Sequence, residues 1–191
     1  MLQHGYRHDN HAGAGRPAVE CGGERPVDEV IAELALGFRR LAKMFGGRFA
    51  PILAAPWNRI DAPVLLRLPQ AGFLGASAIG PRRSWNAAPG LAIANIHVDP
   101  LNWRGGARFA GRGKALRSLI GELQARRTSA ADPDEPLGLL THHRDHDAAT
   151  WAFLQRLLEI TSSHAAARWL TIAEVFSLQP GAAGAAPGRP P

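Results

Sequence analysis

His4, His8 and His11 all fall within the opening stretch of a chain of 191 residues that holds eight histidines in total. His4 and His8 stand four apart. That spacing lets both imidazoles converge on one ion, either on a turn of helix or where a strand end runs into a helix. Neutral imidazole is a good zinc ligand. A zinc centre that does chemistry takes three protein ligands and leaves a fourth position for water, so the pair calls for another donor, with Asp9 and His11 as local candidates. Read alone, the same pattern is equally a solvated, histidine-rich chain start. The choice rests on the rest of the chain.

The elements that must carry these residues follow from the hydrophobic pattern. Residues 13–26 are rich in Gly and Pro and read as loop. Over 28–45, Val30, Ile31, Leu34, Leu36, Phe38, Leu41 and Phe45 recur at near-helical spacing, acidic residues come first, basic ones last, and Gly46-Gly47 supplies the stop. Residues 49–55 read as a short buried strand that delivers Pro56-Trp57-Asn58-Arg59 at its carboxyl end. A helix over 61–71 and a strand over 73–79 follow, then loop over 81–90. Residues 91–98 form a strand ending in Asp99-Pro100-Leu101-Asn102-Trp103. A helix over 113–127 and a turn-rich linker lead to a strand over 137–141 that ends in His142-His143. The next helix, 147–161, turns Trp151, Phe153, Leu154, Leu157 and Leu158 inward. Trp169-Leu170 reads as a last strand and 172–176 as a last helical turn.

Strands alternate with helices, so the class is α/β with a mainly parallel sheet. Met1 to Gln3 reads as the tail of a strand, which makes His4 one of four polar clusters at the carboxyl ends of strands. In barrel-like α/β folds that rim is where active sites are built. Residues 1–178 make one domain, and 179–191, composed largely of Pro, Gly and Ala, read as a disordered tail.

Composition excludes several other classes. The hydrophobic fraction is 46% and the charged fraction 20%, ordinary values for a folded domain, and no apolar run is long enough for a membrane span. The net charge of +6 comes from 22 basic residues, all but two of them Arg, spread singly or in short pairs along the chain. Nucleic-acid binding calls for clustered cations, so the charge reads as surface solvation. Cys21, the single cysteine, has no internal partner, and no secretory signal is visible; both fit a cytoplasmic location.

His4-Gly5-Tyr6-Arg7-His8, Pro56-Trp57, Asp99-Pro100-Leu101-Asn102-Trp103 and Leu140-Thr141-His142 together resemble, in order, the motifs of the polysaccharide deacetylases, the NodB homology family. The resemblance spans about residues 2 to 177. It implies a distorted (β/α) barrel that uses a divalent metal, zinc foremost, to remove acetyl groups from N-acetylated or O-acetylated carbohydrate. It makes His4 and His8 the metal ligands and His142 the general acid that protonates the leaving amine. Pro56 and Trp57 match the groove wall whose backbone N–H helps hold the oxyanion, and Trp103 and Leu140 match the residues lining the acetyl pocket. His143 and His146 have no counterpart and read as surface or supporting histidines.

The departures also shape the expectation. The family's Asp-Asp motif, which supplies the third metal ligand and the general base, belongs upstream of His4, so the chain reads as an N-terminally truncated barrel. Ala54 replaces the arginine that braces the base, with Arg59 a downstream substitute. Asn102 replaces the carboxylate that orients the catalytic histidine, with Asp99 a partial substitute. The expectation is therefore a deacetylase-type chain of little or no activity by itself, or a non-catalytic metal- or carbohydrate-binding relative. An uncovered sheet edge is expected to favour self-association.

Overall fold

Asp28 and Glu29 sit in the first turn of helix α1 (Val27–Phe45) and Lys43 in its last, so charge and helix dipole agree along its length. The computed structural model describes residues 1–142 and 144–177. The chain is a mixed α/β protein of two units, one formed by residues 1–95 with 172–177 and the other by residues 96–171.

In the first unit, α1 leads to β1 (Ile52–Ala54), α2 (Ala62–Arg67), β2 (Gly75–Ser77), β3 (Asn86–Ala88) and β4 (Leu91–Ile93). The sheet order is β1-β2-β4-β3. β1, β2 and β4 run parallel, Ile52 beside Gly75 and Gly75 beside Ala92, while β3 is antiparallel to β4. Before β1, Gln3 pairs in parallel with Leu53: its N–H donates to the Ile52 carbonyl at 3.1 Å, and its own carbonyl accepts from Ala54 at 2.9 Å. The expected strand before His4 is thus present as one bridge. β3 was not legible, because Ala87-Ala88-Pro89-Gly90 carries a turn signal and no alternation.

α1 buries Val30, Ile31, Leu34 and Gly37. Leu34, Leu53, Leu68, Phe73 and Leu91 are all essentially inaccessible, and each such side chain contributes roughly 1.5–3 kcal/mol of hydrophobic stabilisation. Phe38 meets Phe49 and Phe73 edge-on at 5.0 and 5.2 Å. Phe176, at the end of α5 (Ile172–Val175), packs with Ile52, Ala92 and Ala94. Gly75 makes that possible, since a Cβ there would crowd both Phe176 and Ile52.

In the second unit, Val98 pairs in parallel with Leu139. A two-stranded ribbon, β5 (Leu101–Asn102) with β6 (Arg108–Phe109), precedes helices α3 (Arg112–Arg127) and α4 (Ala148–Ser163). Asp147 caps α4, accepting the N–H and the hydroxyl of Thr150, both at 2.7 Å, and it also accepts the Phe109 N–H at 3.0 Å. The inward face expected for α4 needs correction. Leu154 is buried, but Trp151 and Leu158 are about half and two-fifths exposed (50% and 43%). Trp169 and Leu170 form no strand. The described strands make an open sheet and a ribbon, with no closed barrel among the described residues. No described helix is long and apolar enough to cross a membrane. The tail over 179–191 lies outside the described residues.

Candidate functional site

β1 ends at Ala54, and its carbonyl oxygen lies 2.8 Å from Nδ1 of His4. A carbonyl only accepts, so the ring proton is on Nδ1 and Nε2 presents its lone pair. This is how metal-binding histidines are usually oriented. The ring centres of His4 and His8 are 5.2 Å apart, tilted by 48°. Two imidazoles bound at ~2.1 Å to a tetrahedral ion have ring centres ~5 Å apart, so the spacing suits a shared ion. Both side chains are exposed. The pair lies on a loop following the strand end rather than on a helix turn.

That loop and its neighbour have unusual backbones. His8 has φ 62°, and Trp57 and Asn58, in the tight turn Pro56–Asn58 after β1, have φ 52° and 56°. Non-glycine residues in this region cost roughly 1–3 kcal/mol each and persist only where the surroundings over-determine them. Here the His8 ring rests against the Trp57 indole, with ring centres 4.2 Å apart, and Pro56 is buried beneath.

A third donor does not join the pair. Asp9 is exposed, His11 uses its backbone to pair with Val19 and Glu24, and no group of three His, Cys, Asp or Glu able to hold a metal occurs among the described residues. The two histidines fit zinc as two corners of a site. Arg59 donates to the Ala18 carbonyl at 3.2 Å, so it is engaged there. Cys21 is no nucleophile: burial, then the negative charge of Glu20 and Asp61, pushes its thiol up to about 12.

In the second unit His142, Asp99 and Trp103 come together. His142 Nε2 is 3.4 Å from Asp99 Oδ2, an ion-pair separation. The same oxygen accepts the Trp103 indole N–H at 2.9 Å, and the indole meets the His142 ring edge-on at 4.7 Å. Asp99 Oδ1 accepts the Leu101 N–H at 2.9 Å, which closes the turn before β5. His146 Nε2 accepts the His142 backbone N–H at 3.1 Å, so His146 supports the backbone that carries His142. Leu140 is half-buried and donates its N–H to the Val98 carbonyl at 2.9 Å. Asn102 stands apart: its side chain accepts the Arg104 N–H at 3.1 Å and shapes the ribbon turn. His143 lies outside the described residues.

Two groups were not legible as important. Glu20 is buried and gathers the amides of Tyr6, Arg7 and His8. His97 is buried against Glu135 at 3.1 Å. Its Nδ1 accepts the Gly138 N–H at 3.0 Å, Arg126 Nη2 also lies 3.0 Å from its Nε2, and Arg126 Nε donates to the Glu135 carbonyl at 3.0 Å. This cluster fastens the 97–98 segment to the one leading to His142. Losing one partner of such a buried pair costs roughly 3–5 kcal/mol.

No family model, no curated protein and no solved structure matches this chain.

Proposed function

We propose that the chain is a divalent-metal hydrolase of the polysaccharide deacetylase type, acting on the acetyl group of an N- or O-acetylated carbohydrate. The observation that carries this reading is the His4–Ala54 hydrogen bond beside the paired rings of His4 and His8, whose centres are 5.2 Å apart. His4 and His8 hold the ion. A zinc ion held there would supply Lewis-acid chemistry to the acetyl carbonyl. Trp57 braces His8 and walls the groove with Pro56. In the second unit His142 is the candidate proton donor, with Asp99 Oδ2 3.4 Å from its Nε2. Trp103 and Leu140 offer apolar surface to the acetyl group, and Asn102 acts only through the turn it shapes. The architecture in this reading is a distorted (β/α) barrel, to which the parallel sequence of Gln3, β1, β2 and β4 contributes.

A second reading is favoured by a different observation, the lack of a third His, Cys, Asp or Glu beside the pair among the described residues. In it the chain binds metal or carbohydrate without hydrolysing it. Acetate release from an N-acetylglucosamine oligomer, with zinc supplied, separates the two. Zinc-dependent release that is lost in His142→Ala and in His4→Ala supports the hydrolase. Zinc uptake with no acetate release supports the second reading.

A further inference from the structure

Glu20 is 3% exposed, and its two oxygens are in different positions. Oε1 accepts the backbone N–H of Tyr6 at 2.9 Å, of Arg7 at 2.6 Å and of His8 at 3.0 Å. Three successive amides aimed at one point form an anion-binding concavity, and here the anion belongs to the chain itself. Oε2 is buried with no hydrogen-bond partner among the described residues. The loop folds around the carboxylate with Gly5 at φ +67° and His8 at φ +62°. Gly5 is obligatory, because a Cβ there would overlap both the Glu20 carboxylate and the Pro56 ring.

Glu20 cannot easily retract. The Val19 carbonyl accepts the His11 N–H at 2.8 Å, the Cys21 carbonyl accepts the Asp61 N–H at 2.9 Å, and Cys21 pairs in parallel with Ile60. The other end of the loop is tied by Gln3, whose side-chain amide donates to the Gly5 and Leu34 carbonyls, both at 3.1 Å. His4 therefore gets its place from the strand end, whereas His8 gets its place from Glu20.

We infer that Glu20 is the positioning residue of the two-histidine centre: its buried carboxylate templates residues 6–8 and holds His8 in the left-handed conformation that sets its ring against His4 and Trp57. What is positioned rests on the reading of His4 and His8 as metal ligands. The templating itself rests on the three amide contacts.

The test uses the full chain with Glu20→Gln, Glu20→Asp and Glu20→Ala. Two readouts are taken: NMR hydrogen exchange of the Tyr6, Arg7 and His8 amides, and zinc affinity by titration. Gln keeps an acceptor oxygen at the same reach but loses the charge that strengthens the three bonds, so its amides are less protected than in the wild type and more protected, with tighter zinc binding, than in Asp or Ala. Asp is one methylene short and Ala has no acceptor, so both lose the protection and bind zinc about 10–100-fold more weakly, the usual effect of removing support from a metal ligand. If the Ala chain does not fold, the Gln and Asp pair carries the comparison. Amides in Glu20→Asp as protected as in the wild type overturn the inference, as does equal zinc affinity in the two. A wild type that takes up no zinc, with the exchange pattern as expected, removes the metal reading and upholds the templating.

Discussion

His142 Nε2 and Asp99 Oδ2 lie 3.4 Å apart, and the same carboxylate oxygen accepts the Trp103 indole N–H at 2.9 Å. His142 Nε2 has no hydrogen-bond partner among the described residues, so the carboxylate acts by facing the positive charge that a proton-donating imidazole carries before transfer. Where the chain releases acetate, His142→Ala is therefore expected to lower that release by about a hundredfold to ten-thousandfold, the usual worth of a positioned acid. Asp99→Asn, which keeps the shape and removes the charge, is expected to lower it less. Neither change should reduce zinc uptake. An Asp99→Asn chain with wild-type turnover would show that the contact is only structural.

Asp147 sets an acid limit on the second unit. The Phe109 N–H first, then the Thr150 hydroxyl and N–H, hold its carboxyl down to about 2 from an ordinary 3.8. A group whose pKa is depressed by folding contributes stability that is present above the unfolded value and lost as pH falls through the folded one. Asp147→Ala should thus be less stable than the wild type near neutrality, and the gap should close between about pH 4 and pH 2. Urea midpoints followed by far-ultraviolet circular dichroism across that window check the sign. A gap that is constant with pH contradicts it.

Phe73→Ala removes an inaccessible ring that meets Phe38 edge-on. The lost burial and the cavity left behind should cost roughly 3–5 kcal/mol. The expected result is a lower urea midpoint with an unchanged slope. A cost under ~1 kcal/mol would mean that the core collapses around the vacancy.

The sheet offers two outer strands, the segment at Gln3 and β3. Unpaired strand edges are templates for association, and half-exposed Trp151 and Trp169 add apolar surface. Sedimentation velocity over a range of concentrations is expected to show dimers. A single monomeric species at every concentration would set this expectation aside.

Local signals explain which parts of the fold were legible. α1 combines an apolar face, acids first, Lys43 last and a glycine stop, so its sequence admits little else. The strand over 49–55 and the glycine-closed segment over 61–71 were legible because short apolar runs alternate with Gly and Pro. α4 misled, since its apolar residues surround the helix on several sides and periodicity alone does not say which side meets a partner. The two-residue strands β5 and β6 are too short to show alternation. Trp57, His8 and His142 were singled out by type and placement. Glu20 was not, because it lies in a Gly/Pro-rich stretch and its role exists only once the chain returns to meet Tyr6, Arg7 and His8. Asp99 was available as a substitute for the carboxylate missing at Asn102, but only the turn it closes at Leu101 shows how its side chain reaches His142.

The central claim is that His4 and His8 hold a divalent metal ion, and zinc content at equilibrium tests it most directly. Wild type, His4→Ala, His8→Ala and the double variant are dialysed against the same zinc buffer and the bound metal is measured. The wild type is expected to retain about one equivalent more than the double variant, with both single variants close to the double, because one imidazole alone is a weak ligand. Equal zinc in the wild type and the double variant would contradict the claim.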